Sequence, residues 1–210
     1  FYDRVRELSP AERTDFGRAP FCEAAFCKSI GVRETAGEKG YSTMERIGVR
    51  PSLDVNGIWG GYTGEGAKTI IPSKAHAKIS MRLVPDQDYR EIGRLFAEHF
   101  RSIAPRSVRV DVEVLHGGFP YVCPTDLPAY RAAARAVERT FGRKPLPYYS
   151  GGSIPIISTF EKELGVKSVL LGFGLDRDAI HSPNESYGLE NFLRGIETIV
   201  WFYREFAAGR

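Results

Sequence analysis

Apolar residues recur along this chain at two spacings, and the spacings divide it into elements. Between Asp86 and Ile103, Tyr89, Ile92, Leu95, Phe96, Phe100 and Ile103 fall on one stripe, which predicts an amphipathic helix. Leu189, Phe192, Leu193, Ile196, Ile199, Val200, Tyr203 and Phe206 do the same near the end, with Glu190 and Arg194 as a favourable i,i+4 pair. A third helix is expected up to Gly142, with Tyr130, Ala133, Ala134, Val137 and Phe141 inward, Asp126 as its cap and the glycine as its stop. A period of two appears elsewhere. Ala75, Ala77, Ile79, Met81 and Leu83 alternate with His76, Lys78, Ser80 and Arg82, and Val108, Val110, Val112 and Val114 alternate with Arg109, Asp111 and Glu113. Leu53 to Trp59 reads as a further strand. The run Ser168-Val169-Leu170-Leu171, closed by Gly172 and Gly174, reads as a short buried one.

In order, residues 51–116 give β-β-α-β, most of a ferredoxin-like unit without its first β-α. Residues 1–50 are irregular and partly helical. Ser9-Pro10-Ala11-Glu12 has the form of a capping box, Pro20 to Ile30 allows a short helix, and the whole is read as an insertion or peripheral segment. Pro120, Pro124 and Pro128 mark a linker, after which helices and strands alternate with a parallel-sheet flavour. The expected fold class is therefore α+β and α/β: an incomplete ferredoxin-like domain over 1–117, followed by an α/β segment over 118–210.

Composition narrows the function classes. A net charge of +3, with basic residues scattered among acids, leaves no electrostatic footprint for nucleic acid. No apolar run approaches the roughly 18 residues of a membrane helix. Three cysteines fit a reducing, cytoplasmic setting better than a disulfide framework, and Cys22 and Cys27 have no second pair with which to form a zinc knuckle. The chain opens at Phe1 with no methionine and no signal-type segment, so it is expected to be processed or part of something longer.

The candidate chemistry lies between the elements. Gly60 to Thr69 is rich in glycine, but Ala67 intrudes between Gly66 and Lys68 and Ile70-Ile71-Pro72 follows, so no helix N-terminus is available to hold phosphates. It reads either as a flexible turn, the stronger local reading, or as a long hairpin loop in which glycines allow positive φ and close approach to a ligand. Arg82 lies on the polar face of its strand, where it is either a solvated charge or a planar fork for a substrate carboxylate. His116 ends the following strand beside Gly117-Gly118. Ser153, in Gly151-Gly152-Ser153, lacks a nucleophile elbow, and its turn suits gripping a polar group better than attack. His99 reads as a surface or packing residue. His181 lies in the strand-to-helix loop, where open α/β sheets bind ligands, and could be a metal ligand, a general base, or a capping residue.

Taken in order, Gly64-Glu65-Gly66-Ala67-Lys68-Thr69-Ile70-Ile71-Pro72, Ile79-Ser80-Met81-Arg82-Leu83-Val84-Pro85, His116-Gly117-Gly118, Gly151-Gly152-Ser153-Ile154-Pro155 and His181-Ser182-Pro183-Asn184-Glu185 carry a resemblance. Over residues 40–210 the chain resembles the C-terminal half of the dinuclear zinc metallopeptidases, the family of carnosinase-type dipeptidases, carboxypeptidase G, aminoacylase and succinyl-diaminopimelate desuccinylase. The resemblance implies a zinc-binding catalytic domain interrupted by a ferredoxin-like lid that also forms a homodimer. It implies that His181 is the last metal ligand and that Arg82 holds the substrate's carboxylate. Thr69 and His116 then reach the substrate from the lid, Thr69 from the neighbouring subunit, and Gly152 and Ser153 contact the substrate backbone.

Tyr149-Ser150 stand where relatives often carry Arg-Glu, and the family's His-x-Asp, bridging Asp, Glu-Glu and further acidic ligand match nothing in this chain. The expectation is a zinc-dependent amidohydrolase acting on dipeptides or N-acyl amino acids, whose catalytic base lies in a missing N-terminal half. On a single histidine the 210 residues are expected to bind zinc weakly and to be inactive. The rival expectation is a non-catalytic module in which the ferredoxin-like unit only dimerises.

Overall fold

The computed structural model describes residues 1–2, 4–151 and 154–209. The chain forms two compact units, 1–121 with 149–158, and 122–148 with 159–210.

In the first unit, the helices α1 (Pro10–Gly17), α2 (Glu23–Ile30) and α3 (Thr43–Val49) precede a β-hairpin. Both α1 and α3 start at complete capping boxes. Ser9 and Ser42 accept from the N–H of Glu12 and Glu45, whose carboxylates accept the cap N–H in return. These short helices depend on tertiary packing more than on propensity. Leu8, Phe16 and Val49 form their core, with Tyr41, Met44 and Tyr149 packed against it. The side chain of Arg50 is buried over the rings of Tyr41 and Tyr2, and its guanidinium is bidentate with Glu38, both bonds 2.7 Å.

Strands β1 (Ser52–Gly60) and β2 (Ala75–Arg82) pair antiparallel from Ser52↔Arg82 to Gly60↔Ala75, with Asn56 bulged out between Val55 and Gly57. The pairing puts Arg82 beside the start of β1, one residue past the Arg50-Pro51 corner that leaves α3. Of the apolar face expected on β2, Ile79, Met81 and Leu83 are half-buried, whereas Ala75 and Ala77 are exposed. Helix α4 (Tyr89–Ser102) follows, capped by Asp88, whose carboxylate accepts the N–H of Arg90. Ile92 and Ala97 are its buried residues, while Phe100 and Ile103 of the expected stripe are exposed.

Among the described residues the sheet has two strands. The strand expected over Val108–Val114 runs without a ladder partner, with Val108 and Val114 exposed. Nor is the run at 168–172 part of a sheet among the described residues, and Leu170 in it is exposed. The physical reason is common to both. Alternation and apolarity describe side chains, but a strand exists only where a neighbour takes its N–H and C=O groups.

In the second unit, α5 (Pro128–Phe141) packs along α7 (Leu189–Ala208), with α6 (Ile156–Leu164) entering this unit from residue 159. The small side chains of Ala132, Ala133 and Ala136 are buried, which lets α7 approach closely. Phe141 stacks on Phe173, centroids 6.2 Å apart. The cap of α5 is Leu127, not Asp126 as expected, because proline takes the first helical position and no side chain caps the end. Gly142 ends it in the left-handed region at φ 70°, as expected. The outer face of α7 is apolar and open, with Leu189 at 78%, Leu193 at 63% and Tyr203 at 66% exposure. No helix among the described residues is long and apolar enough to cross a membrane.

Candidate functional site

In the first unit, three of the sequence motifs meet. The Nη1 of Arg82, at the end of β2, donates to the carbonyl oxygen of Gly151 at 2.8 Å. Gly118, two residues after His116, lies so close to Pro155 that a Cβ on the glycine would stand 2.8 Å from that of the proline. Gly117 is as tight against Tyr89 at the start of α4, where a Cβ would stand 2.2 Å from the ring, and Tyr89 meets Phe119 edge-on at 5.0 Å. A side chain at either position would have to displace Tyr89 or Pro155. Arg82, the 116–118 segment and the residues on either side of Gly152-Ser153 are thus held together. Gly152 and Ser153 lie outside the described residues.

The other two expected residues of this unit are exposed. The imidazole of His116 is open to solvent, and Thr69 lies in the exposed 61–74 loop that joins β1 to β2. That loop is ordered by Tyr62, whose hydroxyl donates to the Glu65 carbonyl at 3.1 Å while Lys68 lies over its ring.

In the second unit, His181 is exposed and sits in the left-handed region at φ 65°. Ala179 and Asn184 share that conformation, at φ 53° and 63°. Three non-glycine residues in this state within six positions are held by a dense set of bonds. Asp178 is buried. Its Oδ2 accepts the Leu175 N–H at 2.8 Å, and its backbone carbonyl accepts the Ser186 N–H at 2.9 Å. Ser182 closes an inner turn onto the Ala179 carbonyl at 2.9 Å, and Asn191 of α7 donates to the Phe173 carbonyl at 3.0 Å, tying down the base of the loop.

One imidazole provides one nitrogen ligand, whereas a catalytic zinc keeps three protein ligands and a structural one four. Among the described residues no group of three or more His, Cys, Asp or Glu side chains could hold a metal ion. The described residues therefore do not complete a metal site by themselves.

Sequence reasoning passed over α3 and Asp178. The first announces itself as Ser42-x-x-Glu45, the same signature as Ser9-x-x-Glu12. The second lies three residues before His181, but nothing in the spacing says that its carboxylate turns inward.

The model of peptidase family M20/M25/M40 matches residues 9–205. The chain belongs to that family. It is 31% identical to the Cys-Gly metallodipeptidase dug1 of Schizosaccharomyces pombe over 210 residues, 98% of this chain and 44% of the relative. It is 31% identical to the human Beta-Ala-His dipeptidase over 160 residues, 75% of this chain and 32% of the relative. Among solved structures, an M20 family metallo-carboxypeptidase from Sulfolobus solfataricus matches with a TM-score of 0.84 and 26% identity, over 98% of this chain and 47% of the other. The chain thus spans less than half the length of the relatives it matches.

Proposed function

We propose that these residues are the C-terminal half of a zinc-dependent dipeptidase in which Arg82 receives the substrate's carboxylate. The observation that carries this is the bond from Arg82 to Gly151, which unites two family motifs 69 residues apart in one place. A guanidinium fork suits a carboxylate, and a backbone turn with glycines offers N–H groups to the substrate's own backbone. His116 and Thr69 are the polar lid residues that reach the substrate, Thr69 across a dimer, and Gly152 and Ser153 grip its backbone. His181 supplies one metal ligand. The relatives named metallodipeptidases support a metal cofactor, and zinc, when bound, supplies the activation of water that amide hydrolysis requires.

The rest of the catalytic centre comes from an N-terminal half outside this chain, which also covers the open apolar face of α7. The β-hairpin and α4 form the ferredoxin-like lid, and the homodimer forms through it. Ile58 at 75% and Ile71 at 96% exposure are apolar positions that such a contact would bury. The protein works in the cytoplasm on small peptides or N-acyl amino acids. Cys-Gly and β-Ala-His, the substrates in the relatives' names, are the first to try.

The test uses the complete polypeptide. Hydrolysis of a dipeptide with a free carboxylate, lost on chelation and reduced at least tenfold when the C-terminus is amidated, is the expected result. Equal rates on the acid and the amide would overturn the role of Arg82. Turnover by the 210 residues alone would overturn the assignment of the base to the missing half.

A further inference from the structure

Segment 149–151, which leads into the substrate-gripping turn, is pressed against α3. A Cβ placed on Gly48 would stand 2.8 Å from the carbonyl oxygen of Tyr149 and 3.1 Å from its Cβ. A Cβ placed on Gly151 would stand 2.7 Å from the carbonyl oxygen of Ile47. Two glycines on facing segments therefore let two backbones touch. In both cases the obstacle includes backbone, which cannot swing aside as a side chain could. On the far side, the Tyr149 ring stacks on Phe16 of α1, centroids 5.8 Å apart and planes 20° apart, within the core of Leu8, Phe16 and Val49. Arg82 completes the grip from β2.

We propose that Gly48 is a positioning residue for substrate binding, and that the α1–α3 segment is the platform that sets the height of the substrate turn. The inference rests on the reading of that turn as substrate-contacting. Gly48 touches no substrate. It acts by allowing α3 to come within backbone contact of Tyr149, so that the Gly151 carbonyl meets Arg82 at the entrance to the turn. A side chain at position 48 would lift the segment by the few tenths of an ångström to an ångström that a binding site does not tolerate.

Glycine is not there for the helix, since alanine is the better helix former and Gly48 has no left-handed φ. G48A therefore separates the two roles. In the complete protein, G48A is expected to raise KM for a dipeptide at least fivefold with kcat within twofold, and to speed amide exchange at residues 149–151. Val108→Ala trims an exposed side chain outside the α1–α3 platform, so its KM stays at the wild-type value. Phe16→Leu, which loosens the stack without adding an atom at the contact, shifts KM and exchange in the same direction by less and serves if G48A does not fold. Unchanged KM and unchanged exchange in G48A would overturn the proposal, as would kcat and KM both worsening in step with a fall in melting temperature. If the wild type hydrolyses no dipeptide, the proposed function fails by itself, and exchange at 149–151 in G48A still decides whether α3 sets the segment.

Discussion

The guanidinium of Arg82 is bonded to the carbonyl of Gly151 at 2.8 Å, which ties the end of β2 to the 149–151 segment. An arginine anchored in this way is held in one plane before any ligand arrives. If Arg82 takes the carboxylate as proposed, less ordering is needed when it binds, which is where preorganised sites gain affinity.

Arg82→Ala is expected to lower kcat/KM for a dipeptide by roughly ten- to a hundredfold, the loss that follows when a hydrogen bond to a charged group worth about 1.5–3 kcal/mol is removed. Arg82→Lys keeps the charge but not the fork, and should recover only a small part. Steady-state kinetics on the complete protein decide it. A substrate amidated at its C-terminus should be nearly indifferent to both changes, and equal losses on acid and amide would show that Arg82 serves only the turn.

Acid should weaken the first unit through Glu12. Arg6 donates to both oxygens of its carboxylate, at 2.9 and 2.5 Å, and with the N–H and hydroxyl of Ser9 holds the pKa down at about 2. The folded value lies below the ordinary 4.5, so the stabilisation is complete above about 4.5 and is lost as pH falls through about 2. Denaturation midpoints of wild type and Glu12→Gln should differ at pH 7, keep most of the difference at pH 4.5, and converge towards pH 2. A gap that persists at pH 2 would mean the carboxylate's charge is not what matters.

The second unit should be sensitive to volume at the α5–α7 contact. Ala132 and Ala136 have no exposed surface, and Thr198 of α7 is equally buried, its hydroxyl donating back to the Arg194 carbonyl at 2.8 Å. Ala136→Leu is expected to cost about 1–3 kcal/mol by overpacking. Ala134→Leu, on the less buried side of the same helix, should cost much less. Urea titration followed by Trp201 fluorescence reads both, since Arg139 lies over that indole at 3.4 Å.

The elements that could be read from the sequence are those whose signal is local. Helices α4, α5 and α7 repeat apolar residues over several turns, and β2 alternates apolar with polar residues along its length. Helix α3 has only seven residues, too few for a stripe, and its capping box was the single sign of it. The runs at 108–114 and 168–172 have the side chains of strands, but pairing depends on neighbours, and among the described residues neither run joins the sheet. The site follows the same rule. Motif order pointed to Arg82, His116 and His181 because residue types carry that information. What holds them was invisible, because Gly48 against Tyr149 and Arg82 against Gly151 are contacts between distant segments, and spacing along the chain says nothing of them.

The loop that carries His181 leads to the last prediction. Non-glycine residues in the left-handed region cost roughly 1–2 kcal/mol each, and Ala179 has no polar side chain with which to offset it. The loop holds that shape because the buried carboxylate of Asp178 takes the Leu175 N–H while its backbone carbonyl takes that of Ser186. Asp178→Ala removes the first bond and leaves a partly buried donor without a partner, a cost of about 1–3 kcal/mol. Asn can accept the same N–H through its side-chain oxygen, so Asp178→Asn should keep the loop. If His181 is a metal ligand, the complete protein should lose zinc with His181→Ala, lose part of it with Asp178→Ala, and retain it with Asp178→Asn. Metal analysis after dialysis, with amide exchange over 175–186, separates the two ideas. Full zinc in His181→Ala would remove the ligand role, and full zinc in Asp178→Ala despite faster exchange would mean that the imidazole finds its place without the buried carboxylate.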